Sequence, residues 1–213
     1  MNTEENIVKL LKEKASTKQK VYRITKAVFS DFQEILKKKA STLNENIDDK
    51  NVEVSYDETG DFDAKFKFSG DTLLFHMHSN VFDFDKSHQV YQTSYVKDDK
   101  MRSFCGVINI YNFLSDSLKY NRLNDAGFLI ARVFINKDNH FFVEGDKQLG
   151  FLFNDFVNQQ IDSSQIDKIV NAAITYSLNF DLQTPKFNDV KLVSVHQILD
   201  INNNHKIKTS KRL

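Results

Sequence analysis

The sequence predicts an α+β fold in which N-terminal helices precede a mainly antiparallel, six- or seven-stranded sheet packed against a long C-terminal helix. Apolar residues recur at helical spacing over the first 40 residues, alternate with polar ones between residues 52 and 144, and return to helical spacing near residue 166. Such separation of helices from strands is typical of α+β proteins.

Two helices are predicted before the sheet. Ile7, Leu10 and Leu11 form a short amphipathic stripe, and the segment AST at 15–17 offers a cap and a restart. Apolar residues then recur three and four positions apart from Val21 to Leu36. The short first helix is marginal in isolation, so it gains stability only by docking on another surface.

The strands are predicted from alternating or continuous apolar runs bounded by turn residues. These runs are residues 52–56, 62–68, 72–78, 104–113, 128–135 and 140–144. The run at 104–113 is apolar on both faces, as in a central strand. Residues 81–85 are out of phase with the preceding strand, which predicts a bulge or bend near Ser79 and Asn80. Residues 89–96 fit a further strand or an ordered loop.

A long helix is predicted after the sheet, behind an N-terminal cap in the segment DSS at 162–164. Ile166, Ile169, Val170 and Ala173 follow helical spacing there, and Pro185 ends the helical region. Residues 190–199 fit a strand or a short helix. We therefore divide the chain into an N-terminal amphipathic helix (1–16), a single α+β domain (17–200) and a polar basic tail (201–213).

The composition predicts a folded, cytoplasmic protein that does not contact membranes. The chain has 213 residues, 40% of them hydrophobic, and a single cysteine, so it has no internal disulfide. Its N-terminus lacks the apolar core of a signal peptide, and no run approaches the roughly 18–20 apolar residues that span a bilayer.

A pair of histidines suggests one candidate metal site. His76 and His78 lie one residue apart on a predicted strand and therefore point to the same face. The segment from Gly70 to Asp83 resembles the opening of the metal motif of cupins, which are all-β barrels. It has a glycine at position 70, five further residues, the His-x-His pair and then an acid at position 83. The resemblance implies a site of His76, His78, Asp83 and the later His140 that would suit iron, manganese or zinc.

This chain departs from the cupin pattern in three ways. The acid at position 83 is Asp rather than Glu, no later Gly-Pro-Gly motif follows, and helices flank the strands. The alternative is that the two histidines are ordinary polar residues on the solvent face of a sheet. We favour that alternative and predict no cofactor.

Other catalytic patterns are incomplete. Gly145 and Gly150 have the spacing of a phosphate-binding loop, but Phe151 and Leu152 stand where Lys and Ser or Thr are required. Cys105 lies within an apolar strand, which is typical of a core cysteine. The acidic pairs at 61/63 and 83/85 fit a solvated strand face as well as acid–base chemistry. An enzyme is therefore the less favoured prediction.

The charge distribution supports two binding hypotheses. Residues 1–40 carry ten Lys or Arg against five Asp or Glu, and the last 13 residues carry four basic side chains and no acidic ones. Our leading prediction is a non-enzymatic module that binds another macromolecule through the N-terminal amphipathic helix, and protein is the favoured class of partner. The alternative is a nucleic-acid- or ribosome-associated protein. It would use Lys18, Lys20, Arg23, Lys26, Lys206, Lys208, Lys211 and Arg212.

Overall fold

Six strands form one antiparallel sheet in which the spatial order follows the chain. The structure, a computed structural model, describes residues 2–181 and 184–199. The strands are β1 (Val54–Glu58), β2 (Asp63–Phe68), β3 (Asp71–Met77), β4 (Cys105–Leu114), β5 (Phe128–Asn136) and β6 (Phe141–Gly145). This confirms the predicted α+β class and fixes the number of described strands at six.

Two long helices cover one face of the sheet, and shorter helices join the other elements. The helices are α1 (Thr3–Leu10), α2 (Ser16–Glu45), α3 (Ser94–Asp98), α4 (Ser115–Lys119), α5 (Gln148–Leu152), α6 (Ser163–Leu178) and α7 (Phe187–Val190). A single π turn, Leu11–Ala15, joins α1 to α2 without a break. The restart predicted at 15–17 is therefore wrong: the extra residue is absorbed within one continuous helix.

The main core lies between the sheet and the pair α2 and α6. Phe32 and Leu36 of α2 and Ile169 of α6 are fully buried against the strands. The Lys39 ammonium lies 2.5 Å from an Asp167 carboxylate oxygen and so links the two helices. Because most helix-facing positions on the strands are apolar, the sheet presents an apolar face to the helices, with Asp71 and Asn112 at its edge.

The long helix approaches the middle of the sheet closely at Gly106. A Cβ atom added at this glycine would lie 2.0 Å from Oγ1 of the buried Thr25. That hydroxyl in turn donates to the carbonyl of Val21 (2.9 Å). Only glycine permits this approach, so the contact fixes where α2 crosses β4.

A second, smaller core covers part of the other face, which we name the open face. The segment between β3 and β4 folds back over β4 to β6. Its apolar side chains pack on residues of those strands and of the loop after α5. This cluster contains Phe84, Val90, Tyr91, Tyr95, Val96, Cys105, Val107, Phe134, Phe142 and Phe156. Cys105 is therefore a fully buried core residue, and β4 is buried on both faces from Cys105 to Ile110, as expected of a central strand.

Several local predictions differ from the structure. Residues 81–85 form no strand and only an isolated bridge between Phe82 and Cys105, because Phe84 packs into the second core instead. The bend predicted near Ser79 and Asn80 is present just after β3 ends, and an irregularity that was not predicted shifts the register of β4 between Ile110 and Tyr111. Residues 89–96 form helical turns, and 190–199 contain helix at 195–199. No helix in the described ranges is long and apolar enough to cross a membrane.

Candidate functional site

The first helical turns of the chain extend beyond the domain. Val21 is the first buried residue, and every described residue before Ala15 is exposed. We name residues 3–15 the projecting helix. Its apolar side chains, Ile7, Val8, Leu10 and Leu11, are between 43% and 60% exposed. An apolar stripe that stays exposed on such a helix is available to another molecule.

The projecting helix is fixed at its base. The Lys14 and Lys18 ammonium groups lie 5.5 Å and 5.3 Å from the ring centre of the buried Phe104, where they make cation–π contacts. The π turn inserts one residue into the helix, which rotates the preceding side chains by roughly 100° relative to the buried stripe of α2. The apolar stripe therefore does not simply continue the face that packs on the sheet.

Charge is ordered along the projecting helix. Glu4 and Glu5 lie in its first turn, where they favour the positive end of the helix dipole, and the Glu5 carboxylate accepts from the Asn2 backbone N–H (3.0 Å). Lys9 and Lys12 follow toward the base. A groove that receives this helix would therefore be basic at one end and acidic at the other.

The basic residues predicted for nucleic-acid binding are partly neutralised. On α2 they are Lys18, Lys20, Arg23 and Lys26. Nζ of Lys26 lies 3.1 Å from an Asp61 carboxylate oxygen, and the hydrogen bond to Asp61 raises the pKa of the lysine. Nζ of Lys20 lies 4.0 Å from Asp138. The tail residues Lys206, Lys208, Lys211 and Arg212 lie outside the described residues.

The two histidines that suggested a metal site share the open face, with ring centres 6.4 Å apart. Each has its own partner. Nδ1 of His76 lies 2.6 Å from an Asp63 carboxylate oxygen, and Nδ1 of His78 accepts from the Asn80 backbone N–H (3.0 Å). The Asp63 carboxylate thereby fixes the orientation of the His76 ring.

Of the other two predicted ligands, Asp83 lines a cleft together with His78, whereas His140 lies outside that cleft. Asp83 accepts hydrogen bonds from Tyr91 (2.5 Å) and Ser103 (2.7 Å). Partial burial opposes ionisation of Asp83, but these hydrogen bonds outweigh it and hold its pKa below the usual value. His140 stacks on Tyr95 near the start of β6, three strands away from β3. Within residues 2–181 and 184–199, no three His, Cys, Asp or Glu side chains are placed to hold a metal ion.

A polar row crosses the open face beside the histidines. Residues directly opposite each other on five neighbouring strands form it, namely Asp63, His76, Asn109, Arg132 and Glu144. Asp63 pairs with His76 at one end, and Arg132 donates to Glu144 at the other. The side chain of the central Asn109 is largely buried, since the residue is only 9% exposed. Its side-chain amide forms no hydrogen bond with another described residue. The row offers hydrogen-bond donors and acceptors, and it contains no hydroxyl or thiol group.

The polar row borders a cleft of about 370 Å³ beneath the segment that follows β3. Phe82 and Phe84 line this cleft, together with His78 and Asn109. Sequence reasoning missed Asn109, Arg132 and Glu144, because the strand register that aligns them is not readable from one strand at a time. Comparisons of the chain with protein-family models, curated proteins and solved structures gave no match.

Proposed function

We propose that this chain is a cytoplasmic, non-enzymatic module that binds another protein, and that the projecting helix is the docking element. The single observation that carries the proposal is the exposure of Ile7, Leu10 and Leu11 on a helix whose base is fixed to a folded domain. An amphipathic helix of this kind binds by laying its apolar stripe in a groove of the partner. The single cysteine, which is buried, supports a reducing compartment.

The partner is a protein with an apolar groove of helix width. Basic residues at one end of the groove would meet Glu4 and Glu5, and acidic residues at the other end would meet Lys9 and Lys12. Continuity with α2 favours binding, because the domain already orders the base of the helix and less conformational entropy is lost when the partner binds. Nucleic acid is the less favoured partner, since Lys20 and Lys26 already face carboxylates.

The test compares two substitutions to aspartate on the same helix. Ile7→Asp places a charge within the apolar stripe, whereas Asn6→Asp adds the same charge at the polar border of the stripe, beside Leu10. Tagged full-length variants are recovered from their native cells after nuclease treatment, and the recovered proteins are identified. The affinity of each recombinant candidate is then measured by fluorescence anisotropy.

A direct partner is expected to be recovered with wild type and Asn6→Asp but not with Ile7→Asp. Full burial of one large apolar side chain is worth about 1.5–3 kcal/mol, so we expect affinity to fall by roughly 10- to 150-fold. Equal binding by the two variants would refute the docking role. Recovery that disappears with nuclease would instead support the nucleic-acid alternative.

A further inference from the structure

A cleft at one end of the sheet exposes apolar side chains. It lies where β3 begins, β4 ends and the chain leaves α6, and its volume is about 680 Å³. We name it the end cleft. Its apolar lining consists of Phe113, Leu114, Phe128 and Phe180, and all except Phe113 are exposed. A cleft of this size accommodates several large side chains.

The polar lining of the end cleft is acidic. Asp71, Asp125 and Asp181 line it, and Lys and Arg are absent from its described lining. Arg122 lies 3.8 Å from Asp125, so Asp71 and Asp181 supply the uncompensated charge. The side-chain oxygen of Asn112, which is 5% exposed and also lines the cleft, accepts no hydrogen bond within the described chain. An occupant that brings N–H donors and positive charge would satisfy both features.

The C-terminal segment, residues 184–199, has the complementary composition. It begins three residues after Asp181 and is exposed throughout. Lys186 and Lys191 outnumber its single acid, Asp189. Seven large apolar side chains lie exposed within 13 residues, namely Phe187, Val190, Leu192, Val193, Val195, Ile198 and Leu199. An apolar run of this size marks an interaction surface.

We propose that the end cleft receives the C-terminal segment of a second copy of this chain, so that two copies exchange segments in a closed dimer. The lysines of the segment match the aspartates of the cleft, and its apolar residues match the phenylalanines and leucine. The segment is exposed throughout residues 184–199 and none of these residues lines the end cleft of its own chain, so that cleft is open to a second copy.

Reciprocal exchange uses each segment and each cleft once, so the assembly closes with two-fold symmetry. It also doubles the contact area, because both segment–cleft contacts count toward the roughly 1,200–2,000 Å² that a stable interface buries. The surface used is separate from the projecting helix, at the other end of the chain. The proposal therefore goes beyond the proposed function and stands or falls independently of it.

The test measures the mass of the full chain by light scattering during size-exclusion chromatography. We expect twice the 24.8 kDa of one chain. A chain that ends at residue 183 is expected to be a monomer. This shortened chain is expected to retain its fold, since every side chain that is buried within residues 2–181 and 184–199 lies between Val21 and Ser177. It should bind a labelled peptide of residues 184–199, and the full-length dimer should not.

Two further variants locate the interface. Leu114→Asp in the end cleft is expected to dissociate the dimer, whereas Leu11→Asp on the projecting helix is expected to leave it intact. A dimer that persists without residues 184–213, or that Leu11→Asp dissociates, would overturn the proposal. A monomeric full chain would also overturn the proposal. If the shortened chain then bound the peptide, the cleft would belong to the segment of the same chain. If it did not bind the peptide, the segment would be excluded as the occupant of the cleft.

Discussion

Leucine-to-alanine substitutions at Leu11 and Leu36 compare two parts of one continuous helix. Leu36 is 0% exposed between α2 and the sheet, whereas Leu11 is 60% exposed on the projecting helix. Removal of a buried leucine costs about 2.7–5 kcal/mol of unfolding free energy, because apolar contacts are lost and a cavity remains. A surface substitution changes it by less than about 0.5 kcal/mol, and alanine favours helix slightly more than leucine. We therefore expect the two variants to differ by at least about 2 kcal/mol.

The assay is urea denaturation of both variants and wild type, followed by circular dichroism. Equal slopes against urea would show that the substitutions changed stability rather than the surface exposed on unfolding. A loss of more than about 1 kcal/mol in Leu11→Ala would refute the reasoning, because Leu11 would then be packed against the molecule. An unchanged Leu36→Ala would refute the assigned core.

Two further predictions concern titratable side chains. Burial raises the pKa of the Cys105 thiol far above its usual value. Native protein at pH 8 should therefore resist alkylation of this thiol and react only as urea unfolds the chain. Prompt stoichiometric labelling of native protein would contradict the prediction. The pKa of Asp83 is depressed in the fold, so its stabilisation is present above the unfolded pKa of about 4 and is lost as pH falls through the folded pKa. Asp83→Asn should therefore unfold more easily than wild type at pH 7, and the two should converge as the pH falls below the folded pKa of Asp83. A pH-independent difference would contradict the assignment.

The fold class followed from hydrophobic periodicity because most of the chain buries one face of each element. Apolar residues alternate with polar ones in β2 and recur at helical spacing in α6, because each element buries one face. Phe82 and Phe84 alternate with acids in the same way, yet Phe84 packs from a loop onto the rings of Phe134 and Phe142. Period alone does not distinguish a strand from a loop that covers a sheet.

The candidate sites were less predictable than the fold. The amphipathic N-terminal helix was identified from the spacing of its apolar residues, but whether other residues cover its stripe depends on the rest of the molecule. The pairing of Lys26 with Asp61 likewise depends on how the chain folds. Asn109, Arg132 and Glu144 lie far apart in sequence and become neighbours only through strand register. The acidic end cleft likewise combines residues from four parts of the chain.

The strictly sequential order of the strands has a consequence for synthesis of the chain. Each strand pairs with the one made just before it, so the sheet can grow hairpin by hairpin as the polypeptide emerges. The helix α6, which covers part of the apolar face, ends about a hundred residues after β3. Because synthesis proceeds at roughly 5–20 residues per second, that part of the apolar face stays uncovered for roughly 5–20 s. The helix α2 is complete before the first strand, so the nascent sheet assembles on a template that is already present.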